Sequence, residues 1–253
     1  MKITLLTVGE YPEVHGLHAS QVIPLGEYLR QHGVNVQWIA FLPTESKFKD
    51  SLSGGARLAE MRKLANQCKI DFYTPVFPIR IWGIQSYFFR DFLVRIAGRK
   101  LAAMLVKQHQ DFIKHIIHCR SYFAAAVAIE AKKILGDIIV SFDMRSLFPP
   151  EVPLMFPVVG KYFYGGLKGW EARLLQYSDI SFLPCRRGIK ILELEGARRL
   201  PAFVPICGFD DGDNLHSPLD FENPIIGYIG SFGVWQSERL LERVFNQLAV
   251  NIP

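Results

Sequence analysis

Apolar positions along the chain switch between two periods. Lys2 to Val8 is a short β-rich run, closed by the loop signal Gly9-Glu10-Tyr11-Pro12. From Ser20 the spacing becomes helical, with Val22, Leu25 and Leu29 on one stripe. Ser20 is a candidate N-cap, Pro24 is tolerated near a first turn, and Gly33 is the expected stop. Val34 to Leu42 reads as a second strand. Strand, helix and strand within about 40 residues form a βαβ unit and imply a parallel sheet.

The alternation continues. Ala56 to Gln67 is helical, Ile113 to His118 is a buried strand, and Tyr122 to Leu135 is a helix ended by Gly136. Ile138 to Phe142 and Ile180 to Leu183 read as strands, with a helix over Gly169 to Tyr177 between them. Gly188 to Glu195 predicts a further helix and Ala202 to Ile206 a further strand. A polar stretch from Asp210 to Asn223 looks like a linker. A fresh strand follows at Ile225 to Ile229, then Gly230-Ser231-Phe232-Gly233 and an amphipathic helix. The expected fold is α/β: a doubly wound, Rossmann-like parallel sheet over residues 1–209, a linker over 210–223, and the first β-α of a second such domain over 224–253.

Composition narrows the class. Of 253 residues, 49% are hydrophobic and 21% charged, which excludes disorder along the whole chain. The net charge of +5 is too small to imply nucleic acid unless it is clustered. Four cysteines lie far apart with no C-x-x-C pair, so neither a zinc site nor a disulfide framework is expected, and a reduced cytosolic setting fits best. No apolar run reaches the roughly 18 residues of a membrane span, so a soluble or peripheral protein is expected.

In an open parallel sheet the ligand sits at the carboxyl ends of the strands. Four loops are therefore informative. The first, Gly9 to Ser20, holds His15, Gly16 and His18. Gly16 lets backbone approach a ligand, and the helix behind it favours an anion; the alternative is a tight loop with surface histidines. The second is His118-Cys119-Arg120-Ser121-Tyr122. His118 and Arg120 can face a phosphate or a sugar hydroxyl, or instead form a core histidine and a paired arginine. The third runs from Asp143 through Arg145 and a Pro-fixed turn to Glu151. It could hold a polyol acceptor, or Asp143 and Arg145 could be a structural ion pair. The fourth is the small-residue turn Gly230-Ser231, which could cradle a phosphate. No Gly-x-Gly-x-x-Gly or Walker motif is present.

Residues 80–107 carry six basic side chains (Arg80, Arg90, Arg95, Arg99, Lys100, Lys107) against one acid, Asp91. Trp82, Tyr87, Phe88, Phe89 and Phe92 interleave with them. This pattern suits an anionic membrane surface, or a core helix with a solvated basic face. Nucleic acid has no supporting motif. A second aromatic patch, Phe148 to Trp170, could line an apolar acceptor entrance or pack between helices.

The ordered set Gly16, His118-x-Arg120-Ser121, Asp143-x-Arg145…Glu151, Glu171, Asp179, Cys207-Gly208-Phe209-Asp210 and Gly227-Tyr228-Ile229-Gly230-Ser231 resembles the N-terminal half of GT-B glycosyltransferases. The likeness is to the family-four-like retaining enzymes of bacterial polysaccharide and lipopolysaccharide assembly, and it covers nearly the whole chain. It implies two Rossmann-like domains facing a cleft, the first binding the acceptor and the second a nucleotide-sugar. It implies an acceptor side built from His15, His18, His118, Arg120, Asp143, Arg145 and Glu151, with His118 the catalytic candidate. It implies donor-phosphate contacts at Gly16, Gly230 and Ser231. Arg120 stands where many members carry a second histidine. The family's later basic residue and paired glutamates fall beyond residue 253.

The implied activity is retaining, metal-independent hexosyl transfer from a nucleotide diphosphate sugar to a lipid-linked or saccharide acceptor. No cofactor beyond that donor is implied. The implied place is the cytoplasm, at the inner face of the cell membrane, reached through residues 80–107. The alternatives are a non-catalytic membrane-docking or partner-binding remnant, and a sugar epimerase needing the same missing half.

Overall fold

The computed structural model describes residues 1–9, 18–43, 52–77, 89–108 and 115–205, with the isolated positions 243 and 246. In chain order the described elements are β1 (Lys2–Val8), α1 (Ile23–Gln31), β2 (Asn35–Pro43), α2 (Leu52–Gln67), β3 (Asp71–Tyr73), β4 (Val76–Phe77) and α3 (Arg90–Gln108). They continue with β5 (His115–Arg120), α4 (Tyr122–Leu135), β6 (Ile138–Asp143), α5 (Phe148–Met155), α6 (Val159–Tyr177), β7 (Ile180–Leu183), α7 (Arg186–Leu194) and β8 (Ala202–Phe203).

The strands form one sheet in the order β3-β2-β1-β5-β6-β7-β8, with β4 pairing β2 beyond β3. Every pairing is parallel. Such a sheet needs cover on both faces, and β1 is buried along its full length. Its alternate residues feed two cores. Leu6 and Val8 join Ile39, Phe41, Ile117 and Cys119 beneath α3, α4 and α6. Ile3 and Leu5 join Trp38, Met61 and Ile70 on the side of α1 and α2. Trp38 stacks on Phe72 at 4.3 Å and donates to Thr7 at 3.1 Å.

Helix α4 is rich in buried alanines, which lets α3 lie close against it. At Gly98 of α3 an added Cβ would stand 2.4 Å from Cβ of Glu130 and 3.1 Å from the Val127 carbonyl. The far end of α4 is tied to the start of β7 by Lys132 and Asp179 at 2.6 Å. Burial pushes the Asp179 carboxyl up. Lys132, the Val140 amide and Arg199 outweigh that and hold it below the usual carboxylate range.

The sequence period located most elements within a few residues, and the departures have local causes. Ser20 is not an N-cap: His18–Val22 is a single wide π-type turn, and α1 begins after Val22 with Pro24 in its first turn. The segment after Asp143 is not a plain turn. Pro149 and Pro150 occupy the first positions of α5, where a missing N–H costs nothing, so Glu151 lies in a helical first turn. Helix α6 starts ten residues before the expected Gly169, at Val159, and takes in much of the aromatic patch. The strand expected over Ala202 to Ile206 spans only Ala202–Phe203. The short strands β3 and β4 gave no period to read. Both the linker and the second-domain start lie outside the described residues, apart from positions 243 and 246.

Candidate functional site

The strand order reverses between β1 and β5. An open crevice forms at the carboxyl ends there, because the connections leave in opposite directions. Four of the expected residues come together at this place. Register pairs Thr7 with Arg120 and Arg120 with Asp143 across three adjacent strand ends. His118 and Ser141 are likewise register partners one step back. Strand alternation turns His118 and Arg120 away from the alanine-rich α4 and toward α1.

A cavity of about 70 Å³ lies at this point, lined by Gln21, Leu25, His118, Arg120, Asp143 and Arg145 among others. A second, of about 150 Å³, shares Arg120 and Arg145 and adds Ser121, Tyr122, Ser146 and Glu151. Arg120 and Arg145 therefore line both spaces. Glu151 borders only the second, so it is a neighbour of His118 and Asp143 rather than part of their cavity.

Arg120 is buried at 6% exposure, while Asp143 and Arg145 keep about a fifth of their side-chain surface, 22% and 23%. Arg145 Nη1 and Asp143 Oδ2 are 4.0 Å apart, the outer limit of an ion pair. The tighter bond of Arg145 goes to the side-chain oxygen of Gln21, which also accepts from Arg120 at 2.5 Å. His118 is held through Nδ1 by the Ser141 hydroxyl at 3.1 Å. Burial lowers its basicity, Arg120 and Arg145 lower it further, and Asp143 works against them. The neutral ring is thereby favoured. Burial raises the Glu151 carboxyl above its usual range, against a hydrogen bond from Ser146.

The backbone here is strained. Arg145 has φ +62°, and Ser146 N–H bonds the Met144 carbonyl at 2.6 Å. Together these make a γ-turn of the rare positive-φ kind. Ser121, just before α4, has φ +98°. Strained non-glycine positions persist where surrounding contacts over-determine them, commonly at ligand sites. Tyr122 supplies such contacts: its hydroxyl donates to Glu171, lies 3.3 Å from the Ser146 carbonyl, and accepts from the Phe148 amide at 3.2 Å.

The arrangement can hold an anionic oxygen with the guanidinium forks and a hydroxyl with Asp143. Among the described residues no cluster of His, Cys, Asp and Glu is arranged to hold a metal ion. Larger surface grooves of about 360 and 380 Å³ lie against α6 and α7 and against α3, α4 and α6. The first holds the buried Glu171, whose carboxylate is already paired with Lys168 at 2.9 Å, and neither lies at the carboxyl ends of the strands.

His15, Gly16, Gly230 and Ser231 lie outside the described residues, and only the backbone of His18 is described. Sequence reasoning missed Gln21. A glutamine on a turn before a helix carries no signal of its own; only the fold sets it opposite Arg120 and Arg145. No protein-family model matches the chain, and no curated protein matches it.

Proposed function

We propose that this chain carries the acceptor side of a retaining, nucleotide-sugar-dependent glycosyltransferase acting on a lipid-linked or saccharide acceptor. The observation that carries the reading is the convergence of His118, Arg120, Asp143 and Arg145 at the strand-order reversal of one parallel sheet. Sugar transfer needs a hydroxyl oriented toward an activated carbon and a leaving phosphate whose charge is stabilised. Asp143 can accept from an acceptor hydroxyl. The arginines can bind phosphate. A neutral His118 can hydrogen-bond a sugar without repelling a cationic neighbour.

Helix α3 supports docking on an anionic membrane surface. Its outward residues Phe92, Ile96 and Val106 are exposed apolar groups, and Arg95, Arg99 and Lys107 share that face. Arg90 does not belong to this face: it lies 4.6 Å over the Trp170 ring and bonds Asp91 at 3.1 Å. No helix among the described residues is long and apolar enough to cross a membrane.

The test is incorporation of labelled hexose from a panel of nucleoside diphosphate hexoses into a bacterial lipid extract. The expected result is a glycosylated lipid whose formation falls at least tenfold with His118→Ala, roughly the loss of one charged or strong neutral hydrogen bond. Absence of incorporation with every donor would count against the reading.

A further inference from the structure

Gln21 sits on the wide turn His18–Val22 that leads into α1. Its single amide oxygen receives Nη1 of both Arg120 and Arg145. That amide oxygen accepts from both guanidinium groups and brings no charge of its own. Asp143 supplies one carboxylate at the limit of contact with Arg145. Arg145 Nε is buried with no hydrogen-bond partner among the described residues.

The adjoining cavity of about 150 Å³ offers room for a phosphate group. Ser121 Oγ is also buried without a hydrogen-bond partner among the described residues. It stands at the N-terminus of α4, where no side chain caps the helix. A helix start favours negative charge through its N–H groups. Glu151 is the opposing acid in that space; burial raises its pKa above the usual carboxylate value, against a hydrogen bond from Ser146. Arginine forks match phosphate oxygens better than an amide oxygen, through charge and bidentate geometry.

We propose that the Gln21 amide oxygen is an internal stand-in for a phosphate oxygen: a phosphomonoester on the acceptor displaces it, takes over Arg120 and Arg145, and releases the His18–Val22 turn. The identity of the carrier rests on the acceptor-side reading above; the displacement itself does not. Gln21 is on this view a specificity-determining residue, setting the affinity threshold for phosphorylated ligands.

The experiment is calorimetric titration of the full chain at low salt with glycerol 1-phosphate and, separately, inorganic phosphate. Gln21→Ala and Gln21→Ser should bind glycerol 1-phosphate roughly tenfold tighter than the unaltered chain, the scale of one charge-assisted hydrogen bond no longer in competition. Gln21→Glu should bind at least tenfold weaker by the same scale, because a fixed carboxylate fills the place. Thermal unfolding of each variant confirms that the fold persists, and the two small variants guard against either one failing to fold. Unchanged or weaker binding by the folded Ala and Ser variants overturns the proposal, as does no binding by any form. Binding of inorganic phosphate alone overturns the acceptor assignment. Displacement seen without any sugar transfer by the chain keeps this inference and removes only the proposed activity.

Discussion

Tyr122 and Glu171 meet across the contact of α4 and α6, the phenol donating to a carboxylate that is 2% exposed. Lys168 reaches the same carboxylate at 2.9 Å and bridges to Glu195 at 2.5 Å. The Tyr122 oxygen also accepts from the Phe148 amide, so one hydroxyl anchors the start of α5 beside the Arg145 turn. Burial, then Glu171, holds its pKa well above the ordinary phenol range, so it remains a donor.

Tyr122→Phe removes that donor from a buried carboxylate and that acceptor from a backbone amide. The expected loss of stability is about 1–3 kcal/mol, the cost of leaving buried polar groups short of partners. Urea unfolding measures it. The aromatic packing of Tyr122 against Phe142 at 5.2 Å survives in the phenylalanine variant, so the change isolates the hydroxyl.

Arg145 gives a backbone test. Arg145→Gly and Arg145→Ala both lose the guanidinium, but only glycine tolerates φ +62° without strain. The glycine variant is expected to be more stable than the alanine variant by about 1 kcal/mol. Equal stabilities in chemical denaturation would mean that the γ-turn relaxes.

His118 sets a pH dependence. Its folded-state pKa lies below the ordinary 6.5 because burial, with Arg120 and Arg145, disfavours the cation. The unfolded chain therefore takes up a proton first as pH falls. Stability contributed by the neutral ring is complete above the unfolded value and declines as pH drops from there toward the lowered folded value. Between about pH 7.5 and about pH 5 the unaltered chain should lose more stability than His118→Gln. Parallel curves for the two proteins would contradict this.

At Gly98, α3 packs closely against α4. Gly98→Ala places a methyl group against Cβ of Glu130 and the Val127 carbonyl, and part of that obstacle is backbone. The expected destabilisation is about 1–3 kcal/mol, as for other overpacked contacts. Thermal unfolding of the variant measures it.

Charge reversal on α3 tests the membrane surface. Arg95→Glu, Arg99→Glu and Lys107→Glu together should abolish sedimentation with anionic vesicles, since each basic residue near such a surface contributes about 1 kcal/mol. Arg90 is left in place because its stacking on Trp170 is a packing contact. Undiminished vesicle binding would remove the membrane assignment.

The sheet was legible because its central strands are largely buried, β1 along its whole length. The run Ile138 to Phe142 is flanked by Asp137 and Asp143, and α1 and α4 are stopped where Gly33 and Gly136 adopt positive φ. The site was half legible. His118, Arg120, Asp143 and Arg145 fall at strand ends, and the position of strand ends follows from the period. Gln21 and the Tyr122–Glu171 bond were not, because each depends on contacts between elements distant in sequence. The α5 start was misread because two prolines signal a turn and a helix beginning equally well.

Backbone amide chemical shifts during titration with glucose 1-phosphate test the strand-end site most directly, since that probe carries both sugar hydroxyls and a phosphate. The expected result is a saturable set of shifts at residues 18–22, 118–121 and 143–146, lost in Arg145→Gln. Shifts gathered instead along the groove of residues 195–199, or no saturable shifts, would contradict it.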